Sequence, residues 1–254
     1  MKHALLVLLV IIIAIVCFYI LRASPQTEAT DFSIDVANTP QLSLPILDSS
    51  WNLVKNESGV TLYHDTSGPK NYLIVVNSQK ADISINESYS HLDEQWNKAT
   101  NPVCIVNGTF FEPGGGPTFP LILNNSINPG LKTDKFPVRM MYFDPGRITV
   151  SGISSNSDVI ASTWGIGGIN PSFYDGDSTI TNRTMIAAKD NYLYVLVSQN
   201  RTVSQNAQLL INQLSIDPGN IIALDSGYST QIRCFGEDYL ASKSIIGSSL
   251  VISH

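Results

Sequence analysis

Ile221-Ile-Ala-Leu-Asp-Ser-Gly-Tyr-Ser-Thr230 places four apolar residues directly before an aspartate and a glycine. The turn sequence Asp217-Pro-Gly219 precedes it, so Ile221–Leu224 is predicted to be a short buried strand. A strand that ends in Asp225 fixes a polar side chain beside backbone amides, and ligand sites are often built this way. Asp and Gly are also ordinary turn residues, so this pattern alone is equally consistent with a simple turn.

Two other apolar strands carry polar residues at their ends. Val103–Val106 leads into Asn107-Gly108, which repeats the pattern of a strand, a polar residue and a glycine. Asn182-Arg183-Thr184 enters a third apolar strand. An arginine at that point can bind a phosphate through paired N–H donors, or it can be a solvated strand-end residue. Three such ends in one domain indicate a candidate site.

The segments around these strands define the fold class. Apolar periodicity predicts one helix near residues 90–98 and a second that Ser204 caps and that runs to about Leu214. Residues 184–188 and 192–197 are predicted to form a hairpin, whereas the glycine-rich residues 164–168 are predicted to be irregular. Helices and strands interleave without a repeat. We therefore predict an α+β fold with mixed, mostly antiparallel sheets, a few flanking helices and a single globular domain.

The N-terminus predicts a membrane segment. Lys2 and His3 precede an unbroken apolar run from Ala4 to Leu21, which at about 1.5 Å per residue is long enough to span a bilayer. Because the run is long and no clear cleavage site follows, residues 1–22 are predicted to be a signal anchor, with a cleaved signal peptide as the alternative. Residues 23–50 are predicted to be a linker and residues 51–254 the domain. This organisation predicts an extracytoplasmic protein that is either held at the membrane by its N-terminal helix or secreted.

Charge and cysteine content narrow the classes of partner and site. The formal net charge is −6, and no cluster of Lys and Arg provides the basic surface that a nucleic-acid-binding protein needs. Export would permit a disulfide between Cys104 and Cys234, and two buried thiols are the alternative. The scattered histidines form no metal-ligand pattern. No metal or cofactor is therefore expected, although calcium held by Asp and backbone oxygens stays an open alternative.

Three motifs taken in order resemble the phosphodiester glycosidase family. Asn107-Gly-Thr-Phe-Phe111 is similar to its N-G-x-F-F segment, Asn182-Arg-Thr-Met-Ile-Ala187 to its R-T-A-I-G segment, and Leu224-Asp-Ser-Gly-Tyr-Ser-Thr230 to its L-D-G-G-G-S-T segment. The order and rough spacing agree over about residues 55–252. The resemblance implies hydrolysis of a sugar-1-phosphodiester in envelope or extracellular glycans, with a carbohydrate or sugar-phosphate as substrate.

The resemblance also implies roles for individual residues. Asp225 would be the carboxylate near the anomeric carbon, Arg183 would clamp the phosphate, and Asn107 would orient the sugar or the phosphate. Further substrate contacts would come from residues of the same three motifs and from a carboxylate on the adjoining glycine-rich loop: Gly108, Phe110, Glu112, Thr184, Ser226, Gly227, Ser229 and Thr230.

Two departures from the family pattern support a second hypothesis. Ser226 and Tyr228 stand where the family has glycines. Because side chains at these positions narrow a pocket, the alternative function is a non-catalytic glycan-binding or scaffold protein on the same fold. A Tyr228 ring lying across the mouth of the pocket would favour that alternative.

Overall fold

Two stacked antiparallel β-sheets form the part of the chain that the computed structural model describes, residues 47–113 and 116–254. The predicted membrane segment and most of the predicted linker lie outside these ranges. Within them, no helix is long and apolar enough to cross a bilayer. The regular elements of these ranges are sixteen strands and two α-helices: β1 (Trp51–Glu57), β2 (Val60–Asp65), β3 (Asn71–Asn77), β4 (Asp82–Ser90), α1 (Leu92–Lys98), β5 (Pro102–Asn107), β6 (Leu121–Leu123), β7 (Ser126–Asn128), β8 (Val138–Asp144), β9 (Arg147–Ile153), β10 (Trp164–Ile169), β11 (Thr181–Lys189), β12 (Tyr192–Arg201), α2 (Val203–Leu214), β13 (Ile221–Ala223), β14 (Ile232–Cys234), β15 (Glu237–Leu240) and β16 (Ile246–Ser253).

The larger sheet branches at β10. Its main path runs β1-β2-β3-β12-β11-β13-β10-β6-β7, and β8 joins β10 to β9. One edge of β10 pairs with β6 near Trp164 and with β13 at Ile169. Glycine permits this crowding, because a β-carbon at Gly168 would lie 2.4 Å from Cγ2 of Ile222. The glycine-rich residues are therefore a strand, and the prediction that they are irregular was wrong.

The smaller sheet carries the first predicted motif. Its strand order is β15-β14-β5-β16-β4, and β5 ends at Asn107. Cys104 on β5 lies directly opposite Cys234 on β14, and the two form a disulfide. The bridge settles the alternative that the sequence left open. It fixes β5 to β14 three residues before Asn107.

The main apolar core lies between the two sheets. β-branched and aliphatic side chains such as Ile74 and Val195 of the larger sheet meet Val106 and Leu250 of the smaller one, and all four are completely buried or nearly so. Helix α2 covers the outer face of the larger sheet with Leu210 and its neighbours. Helix α1 covers the outer face of the smaller sheet. The layers are therefore helix, sheet, sheet and helix.

The observed proportions correct the predicted class. The fold is mostly β, with two helices among the described elements, and every strand pair found there is antiparallel. It is a single globular domain, as the sequence indicated. Helix α2 begins two residues earlier than predicted, since Thr202 and not Ser204 is its N-cap. The Thr202 hydroxyl accepts from the Gln205 amide while the Gln205 side chain accepts from the Thr202 amide, which forms a capping box.

Candidate functional site

Asp225 follows β13 at the point where the chain leaves the larger sheet. The Leu224 amide still donates to the Thr184 carbonyl of β11 at 3.0 Å, whereas the Asp225 amide donates to the Gly108 carbonyl at 3.2 Å. The Asp225 carboxylate therefore stands where the second sheet approaches the first. Its Oδ1 accepts from the Ser226 amide at 2.8 Å. Burial raises the pKa of Asp225, although hydrogen bonds from Ser229 and Ser226 oppose this rise.

Asn107 supports Asp225 from the smaller sheet. Its side chain is completely buried, and its Nδ2 donates to the Asp225 carbonyl at 2.8 Å. Its Oδ1 accepts from the Thr184 hydroxyl at 2.6 Å and from the Gln231 amide at 3.2 Å. Both lone-pair directions of the amide oxygen are therefore used inside the protein. Asn107 joins the ends of all three motifs, and its Nδ2 holds the backbone of Asp225.

Arg183 lies on β11, directly before Thr184, whose carbonyl accepts from the Leu224 amide. The pairing of β11 with β13 ends at Met185 and Ala223, so Asp225 follows after the chain has left this sheet. The guanidinium is buried, and its Nη2 donates to the Thr179 carbonyl at 2.9 Å. Its Nε reaches the Arg201 carbonyl at 3.4 Å. Nη1 makes no hydrogen bond within residues 47–113 and 116–254, so the structure holds Arg183 with one terminal nitrogen still available.

Tyr174 lies against the Arg183 guanidinium, and the sequence prediction missed it. The Arg183 guanidinium carbon lies 5.8 Å from the centre of the Tyr174 ring. Burial raises the pKa of Tyr174; the charge of Arg183 opposes this rise, and the charges of Asp177 and Asp225 add to it. Tyr174 therefore responds to both Arg183 and Asp225, although these two form no ion pair in the described part of the chain. The segment around Tyr174 has no motif, so the sequence contained no signal for it.

An aromatic row extends from Tyr174 toward the first motif. Five rings contact one another edge to face with centroid separations of 5.5–5.7 Å, in the order Phe110, Phe119, Phe136, Phe173 and Tyr174. Phe119 is buried, whereas 51% of Phe173 is exposed. Each such pair stabilises the fold by about 0.5–1.5 kcal/mol beyond the burial of its surface, and the preferred geometry fixes the orientation of the rings. Phe110 is thus half-buried in packing, and the row presents an open aromatic face at Phe173.

Glu112 lies on the other side of the candidate site in an ion pair. Its carboxylate lies 2.7 Å from the Lys132 ammonium and accepts from the Thr118 hydroxyl at 3.2 Å. The bond to Lys132 is the main reason why the pKa of Glu112 is lowered. A general acid needs a raised pKa, so this environment does not favour a role for Glu112 as a second acid. Burial raises the pKa of Tyr89. The negative charges of Glu87, Glu112 and Asp225 raise it further.

The other predicted contact residues divide into buried and accessible groups. Thr184 and Thr230 are buried, and Gly108 is packed so closely that a β-carbon there would lie 2.3 Å from the Ser248 hydroxyl oxygen. These three residues support the site from inside. Ser226, Gly227 and Ser229 are half-buried beside Asp225 and form its accessible wall. The structure thus brings the three motifs together, but only part of them reaches the surface.

Tyr228 extends away from the site. It is 86% exposed, and it follows Gly227, whose φ of 72° suits glycine. A ring lying across the mouth of a pocket would be packed on at least one face. The substitution that motivated the non-catalytic alternative therefore leaves Asp225 uncovered by this ring.

Metal coordination has no evident donor set here. Within residues 47–113 and 116–254, no group of three or more His, Cys, Asp or Glu side chains is placed to hold a metal ion. The side chain of Asp225 is bonded by Ser229 and by the Ser226 amide. Arg183 can bind an anionic group, and Asp225 supplies one carboxylate.

Comparison with known proteins identifies the fold. No family model matches the chain, and no curated protein matches it. The catalytic domain of zebrafish N-acetylglucosamine-1-phosphodiester alpha-N-acetylglucosaminidase, solved in a form auto-inhibited by its pro-peptide, is similar in structure. The TM-score is 0.56 at 16% identity, over 84% of this chain and 85% of that one. A Burkholderia pseudomallei protein described as exported aligns with a TM-score of 0.48 at 8% identity, over 80% of this chain and 76% of that one.

Proposed function

We propose that this protein is a hydrolase that cleaves the bond between a sugar and the phosphate on its anomeric carbon. The observation that carries the proposal is the meeting of the three motif ends at Asn107, which bonds to the Asp225 carbonyl and to the hydroxyl of Thr184, the residue after Arg183. A phosphodiester-linked sugar presents an anion next to an anomeric carbon, so it needs a cation and a carboxylate side by side. The likeness in fold to a phosphodiester glycosidase supports the same reaction class.

Arg183 would bind the phosphate through Nη1. Its other bonds, to the carbonyls of Thr179 and Arg201, hold the guanidinium in one orientation before the substrate arrives. Such preorganisation matters because negative charge builds on the phosphate oxygen as the glycosidic bond breaks. Tyr174 lies against the guanidinium and limits its movement further.

Asp225 would act at the anomeric carbon. Cleavage proceeds through an oxocarbenium-like state, which a nearby carboxylate stabilises. The carbon–oxygen bond breaks, the phosphate monoester leaves with the electron pair, and the oxygen of a water molecule bonds to the carbon. Asp225 accepts the proton of that water, and its raised pKa suits a group that must take up a proton. Phosphate leaves readily, so strong help from a second acid is not needed.

The location and substrate class remain parts of the same proposal. We propose that the hydrolase works outside the cytoplasm on envelope or extracellular glycans, anchored by residues 1–22. The half-exposed Phe173 adds aromatic surface near the site, on which sugar rings can stack. The non-catalytic alternative would use the same surface without turnover.

The test is hydrolysis of a panel of sugar-1-phosphodiesters by the full-length chain. Asp225→Asn and Arg183→Lys should each abolish turnover, because the first removes the base and the second removes the planar fork while keeping the charge. Asp134→Asn and Arg147→Ala are matched controls, since both residues are exposed and lie outside the three motifs. Full activity of either site variant would refute the assignment. Sugar binding without turnover by the wild type would establish the glycan-binding alternative.

A further inference from the structure

A second cleft lies beside helix α2. It has a volume of about 530 Å³ and is open to solvent, and its walls come from the chain before β1, the ends of β2 and β12, and α2. This volume falls within the roughly 300–1,000 Å³ typical of small-molecule sites. None of the residues predicted for the phosphodiester site lines it. The cleft therefore needs an account of its own.

Amide side chains form one wall of this cleft. Gln205, Gln208, Asn212 and Gln213 all line it from α2, which contains no charged residue. An exposed helix face ordinarily carries Lys, Glu or Arg, because these residues are well solvated and favour the helix. A face of amides alone offers both donors and acceptors without charge. This chemistry matches the hydroxyl groups of a saccharide.

Two of these amides are oriented by the protein itself. The Gln205 Oε1 accepts from the Thr202 amide at 2.9 Å, which leaves its Nε2 as a donor toward the cleft. The Gln213 Oε1 accepts from the Trp51 indole at 2.9 Å, and its Nε2 donates to a carboxylate oxygen of Asp48. Orientation before binding lowers the entropy cost of ligand capture. Gln208 and Asn212 make no side-chain hydrogen bonds within the described ranges and can adapt to the ligand.

A neutralised ion pair forms the opposite wall. Asp65 is only 3% exposed, and its Oδ2 lies 3.4 Å from Nη2 of Arg201. Ser67 and Asn71 donate to the remaining acceptor positions of Asp65. Asp48 adds a second carboxylate, so two carboxylates and one guanidinium face the cleft region. The charged residues of the cleft therefore sum to a net negative charge, which disfavours the binding of phosphate and other anions.

We propose that this cleft binds an uncharged saccharide, apart from the site around Asp225. Fixed amides, a carboxylate and an arginine would bond to the sugar hydroxyls, and Leu209 and Pro69 would contact the apolar face of the ring. The cleft adjoins the first site through the backbone, since the Arg201 carbonyl accepts from Nε of Arg183. A glycan could therefore be held here whether or not the chain hydrolyses it.

Isothermal titration calorimetry of the full-length chain tests this proposal. The probes are cellobiose, maltose and chitobiose at millimolar concentrations, with inorganic phosphate as the anion and a detergent that contains no sugar. We expect at least one disaccharide to bind and phosphate not to bind at this cleft. The Gln208→Ala/Asn212→Ala double variant should weaken disaccharide binding roughly tenfold, because it removes two ligand hydrogen bonds without disturbing any internal bond.

Two matched variants separate the cleft from the candidate active site. Ser204→Ala lies on the same helix but lines a different cavity, so it should bind the disaccharide as the wild type does. Asp225→Asn should also bind it normally. No binding of any disaccharide would overturn the proposal, as would binding that Asp225→Asn abolishes and the double variant leaves intact. Phosphate binding that the double variant weakens would also overturn it, since the cleft would then be an anion site.

Discussion

Replacement of Asn107 by alanine tests whether this residue supports the site from inside. The substitution removes three side-chain hydrogen bonds, to the Asp225 carbonyl, the Thr184 hydroxyl and the Gln231 amide, at 2.8, 2.6 and 3.2 Å. Each bond contributes about 1 kcal/mol, and a buried partner left unpaired costs about 1–3 kcal/mol. Because Asn107 is completely buried, water cannot fully replace the lost bonds. We expect a loss of about 3–5 kcal/mol in the free energy of unfolding.

The matched control is Asn206→Ala on helix α2. Asn206 is equally buried, but its side chain makes one hydrogen bond, from Nδ2 to the Ser198 hydroxyl, and its Oδ1 has no partner in the described part of the chain. Its removal therefore also relieves an unpaired acceptor, and we expect a loss of about 1 kcal/mol or less.

Urea unfolding, followed by tryptophan fluorescence, measures both losses of free energy in the oxidised, full-length chain, and thermal unfolding measures the corresponding melting temperatures. For a domain of this size, about 2–4 °C of melting temperature is lost per kcal/mol. Asn107→Ala should therefore melt roughly 10 °C below the wild type, and Asn206→Ala only a few degrees below it. If the two variants are equally stable, or if Asn107→Ala loses activity while keeping wild-type stability, Asn107 contacts the substrate and the supporting role is refuted.

Three further predictions concern the disulfide, the buried carboxylate and the branch point of the larger sheet. Cys234→Ala opens the bridge to Cys104, which spans 130 residues, and should cost about 2–5 kcal/mol in the chain-entropy view; equal melting temperatures with and without reductant would contradict it. Burial raises the pKa of Asp225 above its ordinary 3.8, so the wild type loses stability as the pH rises through that raised value. Asp225→Asn should then be more stable than the wild type at pH 7 and not at pH 3 in urea titrations, and a less stable variant at pH 7 would show that the carboxylate is not strained by burial. Gly168→Ala should cost about 1–3 kcal/mol by crowding, whereas Gly152→Ala, with open space around it, should not destabilise the fold; similar losses in both would count against the crowding argument.

Sequence alone located the three strand ends that meet in the structure. Apolar strands followed by a polar residue and glycine have a strong local signal, because a buried strand must end before its backbone can turn. Asn107, Arg183 and Asp225 were therefore found without coordinates. The helices near residues 92–98 and 203–214 were also predicted from a local signal, because apolar residues recur in them at helical spacing.

The role of each residue depended on contacts between distant segments. Asn107 and Asp225 are 118 positions apart, and nothing local distinguishes an asparagine that binds sugar from one that holds a backbone carbonyl. Tyr174 lies in a segment without periodicity and enters the site only because β11 and the short helical turn around Tyr174 pack together. The glycine-rich strand β10 was likewise not predicted. A glycine is needed at Gly168 because β13 packs so closely against it, and this contact cannot be read from the local sequence.

The sequence by itself determined which side chains stand at the strand ends and that the chain builds sheets with few helices. Tertiary structure decided the antiparallel pairing, the bridge between Cys104 and Cys234, and the meeting of the three motif ends at Asn107. Local propensity follows from the residue and its near neighbours, whereas register and burial depend on which strands meet. A carboxylate acquires its raised pKa only when the rest of the fold removes water from it.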